Sequence, residues 1–289
     1  MKLIMKSTEL EKRVSECREL MLRVEGLLMK GFSWTPGSDP ARVSELATES
    51  KKSFRDLVTK YDRLVEEALL SELSRLFPGE SIVGEESIAS SQNDPKKIAQ
   101  KSPLFWTVDP IDGTTNYSRA YPFFCSTLAL SQWNADGSCS PLLAVTFNPV
   151  SREMFWAIKG GGAWLNRERL KVSPVKNMEQ CLLTTGFASL RSTEDLKSFE
   201  LFSKLTQKTL GVRRDGSAAL DMAYVACGRI DAYWEWGLAP WDLAAGVLLV
   251  EEAQGKVTKH NGQAFDVFDG EVLATNGLIH QELIQAITE

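Results

Sequence analysis

The sequence predicts a layered α+β fold, because two hydrophobic periods alternate along it. In this 289-residue chain, stretches with apolar residues three or four positions apart, typical of helices, alternate with short β-branched and aromatic runs, typical of strands. The alternation occurs in both halves of the chain and indicates sheets covered by helices. The composition, 43% hydrophobic and 25% charged, is that of an ordinary soluble globular protein.

Two long helices are predicted in the first half. Apolar residues at helical spacing predict a helix over Thr8–Lys30, with Gly31 ending it. The mixed segment Gly31–Ala47 is predicted to be a loop, and Asp62–Phe77 forms the second helix. The polar segment Ser90–Ser102 is predicted to be a mobile surface loop.

Strands make up the rest of the first half. The run Gly160–Gly162 lacks the Lys-Ser or Lys-Thr of a phosphate-binding P-loop, so it is predicted to be a hairpin turn. We place a boundary near Leu170–Asn177, which divides the chain into an N-terminal half, residues 1–170, and a C-terminal half, residues 171–289. The strands predicted before it are Ser81–Gly84, Leu104–Val108, Phe123–Gln132, Leu142–Asn148, Met154–Ile158 and Ala163–Leu165.

The second half repeats the alternation of strands and helices. No internal repeat and no low-complexity tract interrupts it. The predicted strands are Cys181–Thr185, Ala232–Glu235 and Glu271–Thr275, and the predicted helices are Asp195–Thr209, Ser217–Gly228, Asp242–Ala253 and His280–Ile287.

Charge and residue usage exclude several classes of protein. The net charge is −5 with no basic stripe, so nucleic acid is not an expected partner. No apolar run approaches the roughly 18 residues of a membrane span, and the N-terminus does not resemble a secretory signal. Five scattered cysteines indicate free thiols and a cytoplasmic location. With only two histidines, acid–base chemistry falls to carboxylates, hydroxyls or metal-bound water.

The most informative segment is Trp-Thr-Val-Asp-Pro-Ile-Asp-Gly-Thr-Thr-Asn at residues 106–116. A buried strand is predicted to end there, because Pro110 cannot continue the ladder of hydrogen bonds. Asp109 and Asp112 therefore converge at the carboxyl end of a strand, where open α/β sheets place ligands. Two hard oxygen donors indicate Mg²⁺. Free N–H groups from Gly113 onward indicate a phosphate cradle.

Further carboxylates occur in similar contexts. Glu85 follows a glycine at a strand end, and its neighbour Glu86 is interpreted as a solvated acid. Asp242 is placed where a helix begins, and Glu235 stands between two tryptophans. Together with Gly216-Ser217-Ala218-Ala219, the motifs Gly-Glu-Glu-Ser, Asp-Pro-Ile-Asp-Gly-Thr-Thr-Asn and Pro-Trp-Asp-Leu-Ala-Ala-Gly resemble those of the inositol monophosphatase family.

This resemblance covers the chain from about Lys51 to the last helix. It implies an αβαβα layered sandwich, often a homodimer, that hydrolyses phosphate monoesters with two or three Mg²⁺ ions and is inhibited by lithium. By the same resemblance, Glu85, Asp109 and the Ile111 carbonyl would hold the first ion. Asp109, Asp112 and Asp242 would hold the second ion.

The resemblance also implies roles around the phosphate. Glu85 and Thr114 would orient the attacking water, and Gly113 and Thr114 would give backbone N–H groups to the phosphate. Two residues that precede the main motifs, Lys51 and Asp62, match positions near an auxiliary metal site. The residues implied to contact the rest of the substrate are Gly216, Ser217, Ala218 and Glu235.

The residues leave alternative interpretations open. The favoured substrate is inositol 1-phosphate, a small phosphorylated polyol, but relatives that hydrolyse fructose 1,6-bisphosphate, histidinol phosphate or adenosine 3′,5′-bisphosphate share the motifs. A haloacid-dehalogenase-type phosphatase would need a different register, since Pro110 and Ile111 separate the two acids. A non-catalytic regulatory protein on the same fold is a third reading. An EF-hand does not fit the ligand spacing.

Five residues also have structural interpretations. Asp242 is also interpreted as a helix N-cap, and Glu235 as a salt-bridge partner of Arg213 or Arg214. His260, beside Asn261 and Gly262, is interpreted as a turn residue at the surface. Cys125 and Cys227 lie in apolar runs and are interpreted as buried filler.

Overall fold

The structure is a computed structural model that describes residues 5–32, 49–50, 57–187 and 193–288. These residues form five layers in the order helix, sheet, helix, sheet, helix, so the predicted αβαβα sandwich is confirmed. Three hydrophobic clusters lie between successive layers. The helices are α1 Ser7–Phe32, α2 Lys60–Leu76, α3 Glu85–Ser91, α4 Pro95–Ala99, α5 Thr114–Ser118, α6 Thr193–Thr206, α7 Ala218–Ala226, α8 Pro240–Glu252 and α9 His280–Thr288.

The first sheet has seven strands in chain order, and α1 and α2 cover one of its faces. Its first two strands are parallel and the others antiparallel. The predicted hairpin at Gly160–Gly162 joins two of them. The strands are β3 Ser81–Gly84, β4 Leu104–Asp112, β5 Cys125–Trp133, β6 Cys139–Asn148, β7 Glu153–Ile158, β8 Gly162–Leu165 and β9 Glu168–Arg169; a separate ribbon pairs β1 Glu49–Ser50 with β2 Leu57–Val58.

The second sheet has five strands in the order β11, β10, β12, β14, β13. The first three of these run parallel, and the last two pair antiparallel. Helices α6 and α9 cover its outer face. The strands are β10 Leu182–Thr185, β11 Gly211–Arg213, β12 Ala232–Trp236, β13 Lys256–Thr258 and β14 Glu271–Thr275.

Helices α7 and α8 form the middle layer and contact both sheets. Their packing is close, because a Cβ on Gly246 of α8 would lie 2.5 Å from Cε of Met222 on α7. The first sheet ends at Arg169 and the second begins at Leu182, on either side of the predicted boundary, yet both sheets share the core around these helices. The division into two halves stays a prediction.

Two predicted element boundaries in the first half were wrong. Helix α1 continues through Gly31 to Phe32, because a bare Cα lets the helix approach two aromatic rings: a Cβ on Gly31 would lie 1.9 Å from the Tyr117 hydroxyl and 2.5 Å from the Tyr61 ring. The segment predicted as a mobile loop at 90–102 contains the end of α3 and all of α4, whose first turn is capped by Asp94. The predicted loop at 33–47 and Lys51 lie outside the described residues.

No helix in the described ranges combines the length and the apolar character that crossing a membrane requires.

Candidate active site

The end of β4 is irregular, and this irregularity forms the first part of the site. Pairing with β5 passes from Asp109 opposite Thr127 to Asp112 opposite Cys125. Two residues of β4 therefore oppose one residue of β5, which is a β-bulge. Pro110 therefore interrupts the ladder without ending it, so the prediction that pairing ends at Pro110 was wrong. The bulge places both acids at the same end of the strand. Asp109 also accepts a hydrogen bond at 3.0 Å from the Ile111 N–H, which fixes its orientation.

Asp109, Asp112 and Asp242 each offer a carboxylate oxygen, and these three oxygens lie within 4.8 Å of one another. Asp242 reaches the cluster from the first turn of α8. It is the third residue of that helix and accepts the Ala239 N–H at 2.7 Å. Because Ala239 has no side-chain acceptor, this contact is only half of a capping box, and Asp242 is not the N-cap that the sequence had predicted. One side chain thus belongs to both the helix end and the cluster.

Helix α7 holds Asp112 from the opposite side. Its carboxylate accepts the Ser217 hydroxyl and the Ala219 N–H, each at 2.7 Å. The predicted substrate contacts Ser217 and Ala218 are both buried, and the Ser217 hydroxyl is bonded to Asp112. Cys125 is buried as predicted, with its Sγ 3.9 Å from the same carboxylate. Cys227, also read as filler, is only partly buried.

The cluster concentrates negative charge in a buried place. Burial, followed by repulsion from Glu85, Asp112 and Asp242, raises the pKa of Asp109 well above its usual value. Burial and repulsion from Asp112 and Glu85 likewise raise the pKa of Asp242. Burial raises the pKa of Asp112 to about 6, although hydrogen bonds from Ser217 and Ala219 oppose the shift.

This charge fits a divalent cation. Among the described residues, the charged groups that act most strongly on Asp109 and Asp242 are all acids. Adjacent buried carboxylates are stabilised when a cation lies between them, and carboxylate and carbonyl oxygens are the ligands that Mg²⁺ prefers. The donors present are therefore suited to Mg²⁺.

Glu85 joins the cluster from α3. It is the first residue of this helix, and its side chain shares a hydrogen bond with that of Asp109. Glu86, which the sequence had assigned to solvent, is buried, because the first turn of α3 packs against α2. The structure therefore brings four acids together from two helices and one strand.

Thr114 lies beside the cluster at the start of α5. Its hydroxyl lies 3.0 Å from the Ile111 carbonyl and 3.2 Å from Oδ1 of Asp62, and it can donate to either oxygen. The other oxygen of Asp62 accepts the N–H and the hydroxyl of Thr59, which caps α2. The contact between Asp62 and Thr114 was missed from sequence, although Thr59-Lys60-Tyr61-Asp62 has the spacing of a capping box.

Asn116 connects the turn at Gly113 to the segment before α7. Its side-chain amide donates to the carbonyls of Phe123 and Asp215, both at 2.7 Å. Gly113 has φ +94°, and a Cβ there would lie 3.2 Å from the Gly216 carbonyl. Only glycine fits this close approach. No separate role was predicted for Asn116, because its partner Asp215 is distant in the chain.

Glu235 lies at the end of β12 and is buried. The Tyr233 hydroxyl donates to it, and a Cβ on Gly186 would lie 1.8 Å from its carboxylate. Its charge contributes to the raised pKa of Asp242, so Glu235 lies within electrostatic reach of the cluster.

His260, predicted at the surface, is buried against Trp236 with ring centroids 3.8 Å apart and is bonded to Glu271.

Residues 19–289 match the model of the inositol monophosphatase family. The chain belongs to that family. It is 42% identical over 239 residues to the inositol-1-monophosphatase of Synechocystis sp.; the aligned region covers 83% of this chain and 79% of that protein. It is 37% identical over 247 residues to the Nus factor SuhB of Pseudomonas aeruginosa, covering 84% and 87%.

Solved structures agree with this assignment. The Thermotoga maritima IMPase superposes with a TM-score of 0.80 at 31% identity, covering 96% of this chain and 97% of the other. Membership of the inositol monophosphatase family makes the chain a phosphoric monoester hydrolase, which confirms the prediction from its motifs. Metal dependence is a property of this family, in agreement with the acidic cluster.

Proposed function

We propose that this chain is a Mg²⁺-dependent phosphatase of a small phosphorylated polyol, with inositol 1-phosphate as the leading substrate. The observation that carries the proposal is the cluster of buried Asp109 and Asp112 with half-buried Asp242 beside a glycine turn. The name of the Synechocystis relative supports the choice of inositol 1-phosphate.

The proposed metal ligands are those that the family resemblance implies, and the cluster of three aspartates supports them. Glu85, Asp109 and the Ile111 carbonyl are proposed to hold one ion, and Asp109, Asp112 and Asp242 a second. A third ion is proposed near Asp62 from the family resemblance alone. When bound, such ions lower the pKa of water and neutralise charge on the phosphoryl group.

The remaining residues are proposed to bind and orient the reactants. The Thr114 hydroxyl, bonded to Asp62 or to the Ile111 carbonyl, holds a water together with Glu85, and Asp62 is the acceptor placed to receive a proton from Thr114. Backbone N–H groups of Gly113 and Thr114 bind phosphate oxygens. Gly216 and Glu235 contact the rest of the substrate. Ser217 and Ala218 do not contact it: Ser217 donates a hydrogen bond to Asp112, and Ala218 begins α7.

Three further properties are proposed from family membership and sequence. The protein is a homodimer, it is inhibited by Li⁺ competing for a Mg²⁺ site, and it works in the cytoplasm without a nucleic-acid or membrane partner. The free cysteines support the cytoplasmic location, since a reducing compartment keeps thiols unpaired.

Steady-state kinetics on a panel of phosphate esters tests this proposal. Inositol 1-phosphate, fructose 1,6-bisphosphate, histidinol phosphate and adenosine 3′,5′-bisphosphate are compared with Mg²⁺, with Mg²⁺ and Li⁺, and with EDTA. We expect the highest kcat/KM on inositol 1-phosphate, inhibition by Li⁺ and no turnover in EDTA. Preference for another ester would change the substrate, and no Mg²⁺-stimulated phosphate release on any ester would favour a regulatory protein, as the name of the Pseudomonas relative suggests.

A further inference from the structure

Helix α3, which carries Glu85, lacks a cap of its own. Its N-cap residue is Gly84, which has no side chain to accept the free N–H groups of the first turn. In most helices an N-cap side chain accepts the N–H of the second or third helical residue. In α3 these residues are Glu86 and Ser87.

A residue of another helix takes these hydrogen bonds. Glu66 of α2 accepts the Glu86 N–H and the Ser87 N–H, both at 2.8 Å, and also the Ser87 hydroxyl at 2.5 Å. The first bond uses one carboxylate oxygen and the other two use the second oxygen. Glu66 is 3% exposed, so this contact is shielded from water.

Gly84 is explained by the same contact. Its φ of −97° and ψ of 142° are open to any residue, so the backbone does not require glycine. The three atoms nearest to a Cβ built on Gly84 all belong to the Glu66 carboxyl group, the closest at 2.7 Å. Glu66 is held by three hydrogen bonds and cannot move away without losing them.

We infer that Glu66 is a positioning residue for the metal site: it caps α3 from α2 and thereby fixes Glu85. Asp62 lies one turn before Glu66 on the same face of α2 and bonds Thr114. Helix α2 thus sets the positions of both Glu85 and Thr114 relative to each other. A cap on residue 84 itself would stabilise α3 but would not tie it to α2. This inference rests on the proposed role of Glu85 as a metal ligand.

A double-mutant cycle tests it by Mn²⁺ titration of the metal-free full-length protein, followed by electron paramagnetic resonance. We expect Glu66→Ala to weaken Mn²⁺ binding about tenfold, since residues that orient metal ligands contribute 10- to 100-fold. Gly84→Ser should weaken it similarly through its clash with Glu66. The double variant should recover to within about threefold of wild type, because the new serine caps α3 where the Glu66 carboxyl group has been removed. Glu67→Ala, at the adjacent exposed position, is the matched control and should bind like wild type.

Hydrogen exchange and kinetics complete the test. Exchange at the amides of Glu86 and Ser87 should accelerate in Glu66→Ala and slow again in the double variant, and kcat should follow Mn²⁺ affinity.

If Glu66→Ala does not fold, Glu66→Gln replaces it, since its amide group would face one of the N–H donors and weaken Mn²⁺ binding in the same direction. Lower thermal stability with unchanged Mn²⁺ affinity, or additive losses in the double variant, would overturn the inference. Wild-type protein that binds no Mn²⁺ would instead overturn the proposed function.

Discussion

Two sets of buried acids in this molecule differ in how their charges are satisfied. Asp231, before β12, accepts the Ser173 hydroxyl and the Leu182 N–H, and Ser173 in turn accepts a hydrogen bond from Asn276. Asp109 and Asp242 instead face other acids, which raise their pKa values. A buried acid surrounded by donors is satisfied within the fold, whereas acids that face one another must take up protons or bind a cation. The comparison separates Asp231 from Asp109 and Asp242 by the groups that surround each carboxylate.

The largest expected effect is on turnover at the cluster. Asp112→Asn removes one charge that would face the metal ions but retains the shape of the side chain. We expect kcat to fall about 10³-fold or more, because metal ions supply several kcal/mol of charge stabilisation in the transition state. Phosphate release is the measurement and circular dichroism the control for folding. A folded variant with wild-type turnover would show that this carboxylate is not functional.

The next effect is the pH dependence of the metal-free protein. The pKa of Asp112 is about 6 in the folded protein against a usual 3.8, so the folded state binds this proton more tightly than the unfolded chain. The contribution of Asp112 to the free energy of unfolding is therefore largest below about pH 4 and is lost as the pH rises through about 6, a change of about 3 kcal/mol.

Urea unfolding in EDTA across this pH range measures that dependence. Asp112→Asn should flatten the curve and leave the variant more stable than wild type at neutral pH, and Mg²⁺ should stabilise the wild type more than the variant. A wild-type curve that rises with pH in EDTA would mean that the carboxylates do not repel one another.

The smallest effect separates stability from activity. Asp231→Asn leaves one oxygen to accept two hydrogen bonds, so we expect the free energy of unfolding to fall by about 1–3 kcal/mol. Kinetic constants at 25 °C should not change, because the contacts of Asp231 hold the segment before β10 and not the cluster. Loss of kcat comparable with that of Asp112→Asn would remove the distinction between the two sets.

Much of the fold was predictable because hydrophobic periodicity is local. The long run of buried residues in β4 and the small residues of α8 both carry their structure in their own sequence. The errors have tertiary causes. Gly31 stays helical because two tyrosines pack against it, and His260 is buried because Trp236 covers it.

The site was predictable in its acids but not in the contacts that orient them. Asp109, Asp112 and Asp242 stand in motifs that signal their chemistry, and the structure brings them together. Glu66 and Asn116 carry no such signal, since their partners lie 20 and 99 positions away. Pairings across such distances follow from packing and not from local pattern.

Diffraction from crystals soaked in Mn²⁺ tests the central claim most directly, because anomalous scattering locates the ion without reference to activity. We predict an ion bound between the carboxylates of Asp109, Asp112 and Asp242, with Glu85 turned toward the adjacent ion site that it shares with Asp109. Carboxylates that point apart, with no anomalous peak between them, would contradict the account.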